Sequence, residues 1–228
     1  MNRNVPFPVA AGLLLMLVGF IGLTAENLDY RETTSGRSES HCYRIEPFGS
    51  GFLVTLQRRG VGVALDDEFE TDAEFSTRRW RFHDASDNTH VEAFREGDVI
   101  HLSGVHDNNA IRREFHIDRS PWKQIFALDF ESFIRSPEKE FSFWSIGTSG
   151  AGDMKIARFS ARKKGARQVM VNGLPVDAVG LRLSLTGLLS LFWHGDYWFR
   201  KSDGRYLLYE GRNGFIAAVT RKELVAED

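Results

Sequence analysis

From Glu26 onward the chain is written in a period of two: apolar and polar residues alternate along most of its length, and short clusters of turn formers interrupt the alternation. Such a pattern belongs to strands with one buried and one wet face, and it excludes a helical bundle. Phe52, Val54 and Leu56 alternate with Leu53, Thr55 and Gln57, and Trp80 and Phe82 with Arg79, Arg81 and His83. Residues 99–105 and 111–117 flank Asp107-Asn108-Asn109 and read as a hairpin. Further strands are expected over 141–146, 155–163, 168–171, 176–185, 191–201, 205–209 and 215–220. Their separators are Lys164-Gly165, Asn172-Gly173, Ser202-Asp203-Gly204 and Asn213-Gly214, short loops that imply an antiparallel meander. Within 176–185, Val179, Leu181, Leu183 and Leu185 take one face while Gly180, Arg182 and Ser184 take the other.

One segment departs from this rhythm. Ser120-Pro121 is a helix start, a capping hydroxyl followed by proline at the first helical position. Trp122, Ile125, Phe126, Phe130 and Phe133 then recur at spacings of three and four, up to Ser136-Pro137. The spacing predicts an aromatic-striped helix of about thirteen residues lying on the apolar face of the sheet. The expected fold is therefore mainly β: about ten strands in a curved antiparallel sheet or open half-barrel, wrapped round one inserted α-helix, because a flat sheet of that many strands tends to curl.

Residues 1–25 are of a different kind. Arg3 is followed by an apolar run over 9–23 that matches the core of an export signal, and by Ala25 at a mediocre cleavage position, with Leu23 where a small residue is preferred. Counted over 5–25, and despite Pro6 and Pro8, the run approaches the length of a membrane-spanning helix. A signal peptide or signal-anchor helix is expected there, with residues 26–228 as a single β-rich domain in the bacterial periplasm or cell envelope, free or anchored to the inner membrane by residues 5–25.

The 29 basic and 31 acidic side chains nearly cancel, which leaves no basic surplus for nucleic acid. A single cysteine, Cys42, excludes an internal disulfide, and it lies too far from the apolar run to carry a lipid. Eighteen phenylalanines and five tryptophans call for a large core or an apolar cavity.

No motif reaches the standard of a catalytic or metal site. Gly147-Thr148-Ser149-Gly150-Ala151-Gly152 has Ala151 where a nucleophile elbow needs glycine, and no Gly-Lys pair follows for phosphate, so it reads as a hairpin loop. His101, His106 and His116 share the hairpin, but an odd separation turns His101 and His106 to opposite faces, and exposed histidines are expected. His41 and Cys42 are adjacent and so point apart. Asp66, Asp67, Glu68, Glu70, Asp72 and Glu74 read as a charged strand edge that discourages aggregation, with a pair of acid/base carboxylates as the sharper alternative. The run from Phe192 to Arg200 places Trp193, Gly195, Tyr197 and Phe199 on one side and His194, Asp196 and Trp198 on the other.

Ser120-Pro121-Trp122, Val171-Asn172-Gly173 and the run Tyr197-Trp198-Phe199-Arg200 with Asp203-Gly204-Arg205-Tyr206 give the chain a layout, over about residues 28–221, that resembles exported bacterial proteins of unknown function related in fold to the lipoprotein carriers LolA and LolB. The resemblance implies a half-barrel with a helix plugging its concave side, a cavity suited to acyl chains, and no catalytic residue.

The function expected is non-enzymatic binding of an apolar ligand, a lipid or an acylated protein partner, between sheet and helix. Trp122, Phe126, Phe130 and Phe133 would line the site, with Trp193 and Trp198 as further candidates. No metal, cofactor or catalytic residue is expected. A structural domain of an envelope assembly is the alternative, and a hydrolase with a carboxylate or histidine site comes third.

Overall fold

The computed structural model describes residues 24–148, 153–187, 193–212 and 218–228. The apolar start over 1–23, the tip of the 147–152 loop and the turn at Asn213-Gly214 lie outside the described residues. Among the described residues no helix is long and apolar enough to cross a membrane.

Among the described residues fourteen antiparallel strands form one sheet. The first eight are β1 (Glu26–Thr34), β2 (Arg37–Phe48), β3 (Gly51–Gly60), β4 (Val63–Asp72), β5 (Thr77–Asp84), β6 (Thr89–Glu96), β7 (Val99–His106) and β8 (Asn109–His116). A non-strand segment containing α1 (Glu131–Arg135) follows. The last six are β9 (Glu140–Thr148), β10 (Met154–Val171), β11 (Leu174–Leu185), β12 (His194–Arg200), β13 (Tyr206–Arg212) and β14 (Val219–Glu227). Neighbours in sequence are neighbours in the sheet, except that β1 pairs with β14 in its middle and β8 and β9 form its two edges. Chain order therefore runs round the sheet in one direction, with its single break where the inserted segment lies.

Turn chemistry sets the hairpins. Asp107 and Asn108 sit at φ of 49° and 62°, and Asn172 and Gly173 at 50° and 78°, the left-handed pair that a two-residue hairpin loop requires. The Lys164-Gly165 separator, expected to lie between strands, is instead a bulge between Lys163 and Ala166 inside the single long strand β10. The larger strand count has a similar cause. The inward rows of β1, β2, β4 and β6 mix polar with apolar residues, which hides their alternation: beside buried Leu28, Tyr30, Tyr43, Ile45, Phe69, Val91 and Ala93 they carry Glu32, His41, Asp67 and Thr89. The acidic stretch belongs to β4, which is paired on both sides and is no edge. Its outward carboxylates are matched by arginines of the flanking strands: Asp66 with Arg59 at 2.6 Å, Glu70 with Arg79 at 3.5 Å, and Glu68 with Arg81.

The inserted segment contains only the five-residue helix α1 in place of the predicted helix of about thirteen. Its first half is extended because its backbone bonds elsewhere. Lys123 N donates to Trp144 O at 2.9 Å, Trp144 N to Pro121 O at 2.8 Å, and Thr77 N to Trp122 O at 2.7 Å. The Asp129 carboxylate then accepts from Ile125 N at 2.8 Å and holds a tight turn before α1 begins. The three-and-four spacing still buries Trp122, Ile125, Phe130 and Phe133, but through turns. By bonding both β5 and β9, the segment strings across the interior of a curled sheet.

Arg205 locks this end of the molecule. Half-buried beside the start of β1 and the end of β14, it pairs with Glu26 of β1, with Glu131 of α1 at 3.1 Å and with Glu227 of β14 at 3.8 Å. The preceding Gly204, at φ 84°, leaves room for α1: a Cβ there would stand 2.7 Å from Glu131 O.

Candidate ligand-binding site

Inside the curled sheet lies a cavity of about 810 Å³, within the range of roughly 300–1,000 Å³ typical of small-molecule sites. Its wall draws on β1 to β5, β7, β9, β10 and β12 to β14 and on the inserted segment, so the open sheet, with β8 and β9 as its edges, curls round it. The apolar part is built from Leu56, Phe69, Trp80, Phe126, Met154 and Phe159. Asp84, Asp87, Gly147 and Lys155 line it at the end away from α1.

The inward rows of the central strands change character towards that end. On β2 the order is Ile45, Tyr43, His41; on β3 it is Val54, Leu56, Arg58; on β14 it is Leu224, Lys222, Thr220. Period two puts these residues on one face, and register brings their polar members together: His41 stands opposite Arg58, and Glu32 opposite Lys222. Lys222 Nζ donates to His41 Nδ1 at 2.9 Å and to the Tyr43 hydroxyl at 3.0 Å, and lies 5.2 Å from the Tyr43 ring centroid. The opposite nitrogen of the imidazole, Nε2, is 3.3 Å from Glu32. Arg58 reaches Asp67 at 3.3 Å, and Asp67 also accepts from the Trp80 indole at 2.8 Å.

Burial dominates the titration of this group. It lowers the Lys222 ammonium to about 8 and, with the Lys222 and Arg58 charges adding, holds His41 down to about 2. His41 is therefore neutral, with Nδ1 as the acceptor of the Lys222 proton. Burial raises Glu32 and Asp67, partly offset by the same two cations. All five tyrosines of the chain join the cluster. Tyr30 meets Tyr43 at 5.5 Å and Tyr206 at 5.1 Å, and Tyr197 meets Tyr206 at 6.1 Å and Tyr209 at 4.8 Å. Burial raises each phenol, so all remain neutral donors.

Of the residues expected to line the site, Phe126 does so, half-buried and edge-on to Phe143, Phe159 and Tyr197. Trp122, Phe130 and Phe133 are packed into the core behind it. Trp193 stands 5.6 Å from the Phe159 ring. Trp198 is on the outer face, between the Arg167 guanidinium, 3.9 Å from its ring, and Gly180. The histidines behave by parity. His101 faces outward against Phe94, whereas His106, expected on the surface, is buried at the cavity, with Nδ1 3.2 Å from Thr89 Oγ1. Among the described residues no three His, Cys, Asp or Glu side chains converge as a metal site. Cys42 is exposed, and hydrogen bonding to Asp29 followed by burial pushes its thiol up to about 11, away from nucleophilic use.

Sequence reasoning missed Glu32, Tyr43, Arg58 and Lys222. A signal was present: each is a polar residue in the inward phase of its strand. Only knowledge of which strands are neighbours, above all the β1–β14 pair joining the two ends of the chain, turns four scattered residues into one cluster. No protein-family model matches the chain, and no curated protein matches it in sequence.

Proposed function

We propose that this protein is a non-enzymatic binder of an apolar ligand, a lipid or an acylated partner, which it holds between the curved sheet and the inserted segment. The observation that carries this reading is the cavity of about 810 Å³. A chain so rich in aromatics fills its core in the usual way behind Trp122 and Phe130, yet leaves this volume open against Phe126, Met154 and Phe159. An apolar ligand laid against that part of the wall gains the dispersion contacts its side chains offer. Export to the bacterial envelope, and tethering by residues 5–25, fit the same reading. β1 starts beside Arg205 and α1, at the opposite end of the sheet from the polar rows of the cavity.

The test is uptake of a fluorescent fatty-acid or phospholipid probe by delipidated protein, with native mass spectrometry of protein taken from its own membranes. Saturable binding at one site, and a retained lipid mass, are expected. A protein that takes up neither probe and carries no lipid overturns the proposal.

A further inference from the structure

The polar end of the cavity holds two cations that their surroundings leave under-used. An ammonium has three N–H donors, and Lys222 directs two of them at neutral atoms, His41 Nδ1 and the Tyr43 hydroxyl. Among the described residues no carboxylate oxygen lies within ion-pair distance of its Nζ. Arg58 has five donors, yet its side chain makes one hydrogen bond, of 3.3 Å to Asp67, with its guanidinium 5.9 Å from the Phe82 ring centroid, and its Nε is buried without a partner. Asp67 divides its oxygens between Arg58 and the Trp80 indole, and Glu32 lies against His41 Nε2, on the opposite side of the imidazole from Lys222. Among the described residues Asp84 and Asp87, which line the same end, form no ion pair with Lys222 or Arg58, so both cations keep donors in reserve at the polar end of the chamber. Buried donors without acceptors are costly, and acceptor oxygens supplied by a ligand are the simplest remedy.

Resting on the ligand-binding reading above, we infer that the ligand is an amphiphile bound head-first in charge: a carboxylate on a single alkyl chain, its oxygens taken by Lys222 and Arg58 and its chain laid against Leu56, Phe69, Phe126 and Phe159. A carboxylate matches the guanidinium fork and accepts a further bond from the ammonium, and such charge-assisted bonds are the strong ones in a dry site. The Tyr43 hydroxyl, already on Lys222, fixes where the ammonium points.

The experiment titrates the delipidated full chain with dodecanoate, with its methyl ester and with dodecanol by calorimetry, and repeats the series on Lys222→Met. Wild type is expected to bind the acid at least about tenfold more tightly than the ester or alcohol, a gap of about 1.4 kcal/mol. Lys222→Met is expected to lose that preference while binding the ester within about twofold of wild type, which also reports that the variant is folded. Equal affinity of wild type for acid and ester overturns the head-group assignment and leaves the ligand-binding reading intact. A preference that survives in Lys222→Met overturns the assignment to this lysine. Binding of none of the three overturns the ligand-binding reading and this inference with it.

Discussion

Lys222→Met, followed across alkaline pH, measures what burying this ammonium costs. Burial brings Lys222 to about 8 from an ordinary value of 10.5, with the Arg58 charge adding to the depression and Glu32 and Asp67 opposing it. Between those two values the unfolded chain still holds a proton that the folded chain has released. Stability therefore rises with pH through the window, and the penalty is fully present below pH 8. Each unit is worth about 1.36 kcal/mol; because the group is half-titrated at the start, moving from pH 8 to pH 9.5 should add about 1.5 kcal/mol. With a urea slope of about 2.5 kcal/mol/M for a domain of this size, the wild-type midpoint should move up by about 0.6 M relative to Lys222→Met. The readout is the difference between the two proteins at each pH, because Cys42 and the tyrosines, which pull the other way at high pH, cancel in it. A difference that stays flat from pH 7 to 9.5 refutes the claim that this ammonium is buried against its preference, and a difference of opposite sign refutes the direction.

Two further outcomes test the packing and the chemistry separately. Phe130→Ala removes a fully buried ring set among Phe126, Phe141, Phe143 and Phe199. It should cost about 3–5 kcal/mol in denaturant unfolding, and a loss below about 1 kcal/mol would mean that the inserted segment is not part of the core. Cys42, though exposed, should react with iodoacetamide at pH 8 about tenfold more slowly in the folded protein than in the unfolded one, because the lower thiolate content of a thiol raised from 9.0 to about 11 outweighs the higher nucleophilicity of that thiolate. Equal rates would remove the Asp29 hydrogen bond from the account.

Much of the fold was legible. Period two, with Asn172-Gly173 and Asp107-Asn108 at the turns, was enough for an antiparallel meander, because alternation follows from strand geometry alone and the turns from residues that tolerate positive φ. Parity also separated His101 from His106 and His41 from Cys42. The inserted segment misled because apolar spacing records which side chains are buried and not which backbone bonds bury them. A proline start and an aromatic stripe suit a helix, yet the free strand edge of β9 and the first residue of β5 took the same N–H and C=O groups. β4 misled in the opposite sense, its charges suggesting an edge when Arg59, Arg79 and Arg81 stood ready on both neighbours.

Local sequence thus determined that the chain forms strands, which residues face inward and where most hairpins turn, since each depends only on neighbours within a few residues. Tertiary structure decided the rest: the pairing of β1 with β14, the curling of the sheet round a cavity, and the meeting of Lys222 with His41 and Tyr43, which lie about 180 positions away. Contacts of that range are fixed by how the whole sheet curls, and no local pattern encodes them.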